Sequence, residues 1–360
     1  MAKGFESWIW VAPEPSGWLG GSTSLRGNFL VADSESLHLG QEIVERSNKI
    51  VQGRALKASV RTIGKQAPTG DIEWQFRSDE LPPILLSHFQ KYIGSGFGGA
   101  GSLTGECLYT FVNEKSTPTY GGSAFGTGAY TAAAGNVFTV SVVKKFFDTA
   151  ANGGTNAEWF KSCIADEIML SCAANEDAKI KASFKAGTVD AGTKFASSLN
   201  PNSSIGSYST NSAFNAWSAI ITWGGGTLDV NKLEFTSKNG LAERLVLGTK
   251  NPADYRFSRY TCEGNFEIDM PYDGLKYAGT MLGGSTFSVV GTFSNSGTDY
   301  VAFNMPNCRL KAFDPDLKPG DTTITYGLPF VAYESEDGST APITVTVRTN
   351  TYGSTPVTRI

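Results

Sequence analysis

The sequence predicts a mainly β protein made of two tandem, related domains, each a β-sandwich or barrel with a short flanking α-helix. Three observations carry this. Short runs such as residues 178–187, AKIKASFKAG, alternate apolar and polar side chains with period two, the pattern of a half-buried strand. Charged residues make up 18% of the chain and glycine 41 of its 360 residues. That charge content is below the usual value of about a quarter and suits a β-rich chain with much surface hidden in contacts. Finally, a segment recurs. Residues 70–81 read GDIEWQFRSDEL and residues 264–275 read GNFEIDMPYDGL, so that Gly70, Glu73, Asp79 and Leu81 match Gly264, Glu267, Asp273 and Leu275, 194 residues apart without a gap. A period this long marks a duplicated domain rather than a solenoid.

Residues 1–36 are rich in Gly, Pro and Ser and carry Trp8, Trp10 and Trp18. They read as an extended arm whose tryptophans either cover the chain's own core or anchor a neighbouring copy. On the second reading, deletion of residues 1–30 leaves a folded chain that assembles poorly. Residues 37–200 read as the first domain. Its strand-like runs SVRTIG and DIEWQF lead into SDELPPILLSHFQKYI, where Ser78 or Asp79 can cap a helix and two prolines suit its first turn. Leu81, Ile84, Leu85 and Phe89 would form one buried face, with His88 packed beside it. Gly70 and Gly264 are expected to hold a turn or bulge before their strands. Residues 94–136 form a Gly/Ser/Thr/Ala-rich excursion around CLYTFV, and 138–147 and 159–172 read as further strands.

The polar stretch 187–212 contains the expected domain boundary. The second domain, 201–360, repeats the order of the first. SAIITW and LDVNKLEF flank a Gly224–Gly226 turn, Asn239-Gly240 marks a second turn, and YRFSRYTCEGNFEIDM precedes the second helix pattern, DGLKYAGTML. The closing strands of the halves also correspond: CIADEIMLSCAANEDAKIKASFKA parallels CRLKAFDPDLKPGDTTITYGLPFVAYE.

Little here points to chemistry. The net charge of −4 leaves no footprint for general nucleic-acid binding. The five cysteines contain no CxxC pair and only His38 and His88 are present, so buried thiols are expected and a zinc site is not. Residues 96–101 formally match GxGxxG, but a helix pattern precedes them where a strand is needed. DPDLKPGD places Lys318 and Pro319 where calcium ligands should be and reads as a turn. Neither a P-loop nor a GxSxG elbow occurs, so no catalytic residue, cofactor or metal is expected. The repeated Glu73/Glu267 and Asp79/Asp273 are explained as architecture, the aspartates by helix N-termini. The N-terminus lacks the apolar run of a signal peptide, and no stretch reaches the roughly 20 apolar residues of a membrane helix. Synthesis in a cytoplasm is expected.

The segments NKIVQGRALKASVRTIGKQAPTGDIEWQFRSDELPPILLSHF and EFTSKNGLAERLVLGTKNPADYRFSRYTCEGNFEIDMPYDGLKYAGTML resemble the phage tail tube protein family, in a long form with two tube domains. Asn239, Gly248, Pro252, Gly264 and Glu267 occupy the places of the family's turn, its "lGs…p" stretch and its GxxE strand. The first half lacks the Asn-Gly turn and the LGTKNP stretch. The resemblance implies a structural virion protein of the tail, assembled in the host bacterial cytoplasm. Neighbouring domains would join their strands into a continuous inner barrel, and rings would stack into a conduit for the genome. Rings of this family present six tube domains, so three copies of a two-domain chain would close one as a pseudo-hexamer. Implied partners are the chain itself, tape measure, terminator and tip or baseplate proteins, and DNA passing without sequence-specific binding. The excursion 94–136 and the arm would supply contacts between copies. An alternative expectation, from the tryptophans and the Gly/Ser/Thr loops, is a carbohydrate-binding or adhesin-like β protein.

Overall fold

In the computed structural model, the structure describes residues 8–14, 28–45, 61–95, 107–112, 119–120, 128–134, 138–149, 154–191, 211–269, 284–295, 299–311 and 325–349. In the first half the elements are β1 (Trp8–Pro13), β2 (Asn28–Leu30), β3 (Ala32–Glu35), β4 (Gln41–Glu45), β5 (Arg61–Gln66), β6 (Thr69–Gln75), α1 (Pro82–Phe89), β7 (Lys91–Ser95), β8 (Cys107–Val112), β9 (Thr119–Tyr120), β10 (Gly128–Ala134), β11 (Val140–Thr149), β12 (Gly154–Ala173), β13 (Lys179–Lys185) and β14 (Thr188–Ala191). In the second they are β15 (Ala219–Trp223), β16 (Gly226–Thr227), β17 (Lys232–Lys238), β18 (Ala242–Arg244), β19 (Asp254–Arg256), β20 (Thr261–Asp269), β21 (Phe287–Asn295), β22 (Asp299–Leu310), β23 (Thr325–Ala332) and β24 (Thr344–Thr349). The fold is mainly β, and the strand pairs are antiparallel.

Period-two alternation builds these strands. In β6, Ile72 and Trp74 point into the core while Asp71, Glu73 and Gln75 lie on the other face. In β13, Ile180, Ala182 and Phe184 do the same against Lys179, Lys181, Ser183 and Lys185. The inward side chains join one aromatic-rich core in which Phe76 meets Phe214, Phe293 and Phe303, drawing side chains from both halves together.

The two halves share one order of strands and the same pairings. Each opens with a hairpin, β1–β2 and β15–β16, whose first strand lies on β11 or β21. Next comes a strand paired to the glycine-bearing strand: β3 on β6, and β17 on β20. Between them stand small two-stranded sheets, β4–β5 and β18–β19. The glycine strand then pairs with β13 or β23, placing Gly70 opposite Phe184 and Gly264 opposite Phe330. Finally β14 and β24 lie along the N-terminal parts of β12 and β22.

Even the irregularities correspond. The β11–β12 register slips between Val140↔Cys163 and Val142↔Phe160, and the β21–β22 register slips between Phe287↔Cys308 and Val289↔Met305. At each bulge the cysteine thiol faces the carbonyl three residues earlier, 3.4 Å for Cys163 and 3.5 Å for Cys308. Among the described residues the strands β7 to β10 have no counterpart in the second half; β7 leads into the expected excursion, β8 to β10 lie within it, and β8 crosses to pair with β24 of the second.

Several expectations change. Gly70 and Gly264 lie inside their strands, not in turns before them. A Cβ on Gly70 would lie 2.5 Å from the backbone of Leu37 and Ser36, and one on Gly264 would lie 2.3 Å from the Phe330 ring. Close approach by a neighbour therefore requires glycine at both positions, and at Gly70 a positive φ of 158° requires it as well. The helix begins at Leu81, whose side chain makes no cap; the prolines occupy its first positions as expected, and Ser78 and Asp79 belong to the preceding turn. All eight of its residues are buried, not one face alone. Residues 8–14 and 28–35, within the expected arm, form strands, and Ile9, Trp10 and Val11 are core residues. Deleting residues 1–30 thus removes core side chains, contrary to the expectation that the truncated chain folds. The Gly224–Gly226 turn is present, with positive φ at Gly224 and Gly225; Gly240 also has positive φ, but Asn239-Gly240 leads from β17 into β18, which pairs with β19 and not with β17. The GxGxxG match, the DPDLKPGD turn and the second helix pattern lie outside the described residues.

Candidate assembly surface

Besides the β8–β24 pair, the halves meet along a second strand pair. The C-terminal part of β12 lies antiparallel to β17, from Glu167↔Lys238 to Ala173↔Lys232. This seam extends the first half's strands directly into the second's, giving a row β3–β6–β13–β12–β17–β20–β23–β22.

A buried polar network closes the end of the seam nearest α1. Nδ1 of His88 lies 2.9 Å from the Ala165 carbonyl, and Nε2 lies 2.6 Å from Oγ of Ser237. A carbonyl only accepts, so Nδ1 carries the proton and Ser237 donates to Nε2. The Tyr260 hydroxyl, 2.7 Å from the Ser237 oxygen, then donates to Ser237. Asn239 donates from Nδ2 to the carbonyls of His88 and Ala165, at 2.8 and 3.2 Å. Asp166 accepts from the Leu241 amide at 2.8 Å and pairs with Lys185 at 2.8 Å. Burial holds the His88 imidazole down at about 4, hence neutral. The β18–β19 sheet then grips the first half. Leu241 and Tyr255 pack on Ile164, the Tyr255 hydroxyl donates to the Ala186 carbonyl at 3.1 Å, and Asn251 reaches Thr188.

The outer edge of the row at β3 matches one side of this seam. Among the described residues β3 pairs with β6 alone, and Asp33, Ser34 and Glu35 are exposed. β3 stands to β6 as β17 stands to β20. At the far end, β22 pairs with β23 through Arg309 and Leu310 as the middle of β12, Ile164 and Ala165, pairs with β13. The β3 end of the row thus carries the counterpart of the β17 face of the internal seam, whereas the positions matching Glu167–Ala173 beyond β22 lie outside the described residues.

The repeat-signature residues fall on this framework. Glu73 and Glu267 project from the open face of the row, Glu73 with Lys179 at 3.8 Å and Glu267 opposite Lys232. Leu81 is fully buried and Asp79 nearly so, while Asp273 and Leu275 lie outside the described residues. Of the three tryptophans proposed as contacts between copies, Trp10 is 2% exposed and packs with Ala12, Phe29 and Val143. The backbone of Trp8 pairs with Lys145, and Trp18 lies outside the described residues. Trp217, which the sequence reading passed over, is 83% exposed.

Cys163, Cys172, Cys262 and Cys308 are buried free thiols. Burial raises all four, Cys172 to about 11 and Cys308 to about 12. Among the described residues no three His, Cys, Asp or Glu side chains converge to hold a metal ion, and no helix is long and apolar enough to cross a membrane. The buried carboxylate of Glu14 accepts from the hydroxyls of Thr139 and Ser141, both at 2.6 Å, and from the Ser162 amide at 2.8 Å. It ties β1 to the β11–β12 bulge and has a structural role. A scan against family models and a search of curated proteins both find no match to this chain.

Proposed function

We propose that this chain is a structural virion protein, without enzymatic activity or cofactor, that assembles into stacked rings forming a phage tail tube for genome delivery. The observation that carries the reading is the internal seam. β12 already receives β17 from the next unit, and β3 carries the counterpart of β17 at the outer edge of the row, where it would meet the matching strand of another copy. A head-to-tail contact of this kind closes into a ring when its rotation permits, and closure removes the exposed sheet edges. Three chains would bring six units to one ring. Tape measure, terminator and tip or baseplate proteins would be its partners along the tail, with DNA passing through the lumen. Negative-stain microscopy of the purified protein tests this: annular particles or hollow rods of even width are expected, and dispersed monomers over a wide concentration range would overturn it. The exposed Trp217 favours the carbohydrate-binding alternative, which a glycan-array signal from a strictly monomeric protein would support.

A further inference from the structure

One face of the eight-strand row is apolar and buried; the other is open and charged. On the open face five lysines each face a carboxylate. Lys181 meets Asp71 at 2.7 Å, Lys238 meets Glu167 at 2.8 Å and Lys232 meets Glu234 at 2.8 Å. Lys179 lies 3.8 Å from both Asp33 and Glu73, and Lys311 pairs with Glu263. The strand registers place these residues side by side: Glu73 opposite Lys181, Glu167 opposite Lys238, Thr236 opposite Glu263. Solvent-exposed pairs contribute little to stability, typically about 0–1 kcal/mol. Their alignment along one face is better explained by what that face presents to a ligand.

Resting on the tube reading, we propose that this face lines the channel and that its carboxylates act as guards, each holding a lysine away from passing DNA phosphates. The opposite face carries the rest of the core and α1. A closed sheet must place its covering layer on the larger circumference, so the bare face turns inward. Duplex DNA binds by releasing counterions to unpaired lysines and arginines. A lysine already neutralised by a neighbouring carboxylate offers no such gain. The face is therefore hydrated and close to neutral, without the adhesion of a basic surface, and DNA slides along it.

The test converts guards to amides: Asp33→Asn and Asp71→Asn with Glu73→Gln, Glu167→Gln, Glu234→Gln and Glu263→Gln. Binding of a fluorescent duplex is followed by anisotropy, with rings and with unassembled chain. The parent is expected not to bind at 50 mM salt. The amide variant is expected to bind, with a salt slope near −4.5 for five released lysines, a loss of about 500-fold between 50 and 200 mM. Adding Lys179→Gln, Lys181→Gln, Lys232→Gln, Lys238→Gln and Lys311→Gln should abolish that binding. Single-pair variants, Asp71→Asn for Lys181 and Glu263→Gln for Lys311, read one lysine at a time and do not depend on the combined variant folding. DNA binding no tighter than the parent's, or binding that survives loss of the lysines, overturns the guard role. In rings of Thr236→Cys, a small maleimide should react and a bulky polyethylene-glycol maleimide should not. Equal reaction with both overturns the inward orientation, whereas a parent that forms no rings overturns the tube reading itself.

Discussion

Replacing Gly264 with alanine tests whether the repeated glycine serves packing rather than backbone freedom. Gly264 lies in β20 without a positive φ, so alanine adopts its conformation freely and any cost comes from the added methyl. That methyl would lie 2.3 Å from Cζ and 2.6 Å from Cε1 of Phe330, and 3.0 Å from the Glu234 carbonyl oxygen. Carbon contacts are comfortable at about 3.5–4.0 Å, so the ring must retreat by more than an ångström. Phe330 is fully buried and stacked on Phe266 with centroids 4.9 Å apart, which leaves it little room. Overpacking of this kind costs about 1–3 kcal/mol. At 2 kcal/mol and an m-value of about 2 kcal/mol/M, the urea midpoint falls by about 1 M. The clash disappears when the ring does, so in a Phe330→Leu background the alanine should cost under about 0.5 kcal/mol. The corresponding cycle at Gly70 with Phe184→Leu should show no rescue, because there the added methyl meets the backbone of Leu37 and Ser36. An unchanged midpoint for Gly264→Ala, or the same loss with and without the Phe330 ring, would refute the argument.

Other predictions concern the seam and its surroundings. His88 titrates at about 4 in the fold against an ordinary 6.5. The unfolded chain therefore binds the extra proton between those values, and stability falls by about 3 kcal/mol as pH drops through that window. His88→Leu should flatten this acid slope in unfolding titrations. Glu80, 1% exposed, is pushed up to about 8 by burial and by Asp79. Its sign is opposite: its contribution is full below about 4.5 and is lost as pH rises through 8, so Glu80→Gln should raise the thermal midpoint at pH 8 and change little at pH 5. Asn239→Ala removes two buried hydrogen bonds across the seam and should cost about 2 kcal/mol by urea unfolding. Deleting residues 1–14 removes β1 and the Glu14 carboxylate, and should abolish cooperative unfolding rather than impair assembly alone.

What could be read from the sequence was local. Alternation in 178–187 and the Gly224–Gly226 turn identified strand faces and a reversal correctly, because period two and positive φ are properties of neighbouring residues. The duplication was visible at Gly70 and Gly264 but their role was not. A glycine in a strand signals close approach without saying whether backbone or ring does the approaching. The helix start was misplaced because Asp79 resembles a cap in sequence, whereas its place in the buried turn is decided by tertiary packing. The β12–β17 seam was invisible, since it joins residues 59 to 71 positions apart and follows a bulge that shifts the face of every later side chain. A signal for it did exist. Cys163 and Cys308 open the two segments already recognised as parallel, and each marks a bulge at the same point of its half.

Covalent duplication also makes the two kinds of junction unequal. The internal seam is closed by His88, Asn239, Leu241 and Tyr255. By strand register the positions matching Asn239, Leu241 and Tyr255 in the first half are Gln41, Ile43 and Arg61. In a ring built from identical single units, any substitution strikes every junction at once. In the proposed ring a change at Asn239 would touch only the tethered joints, and one at Gln41 only the joints between molecules. On that proposal the tethered joint would be free to become rigid and dry while the other would keep the reversibility that a growing polymer needs to correct its errors.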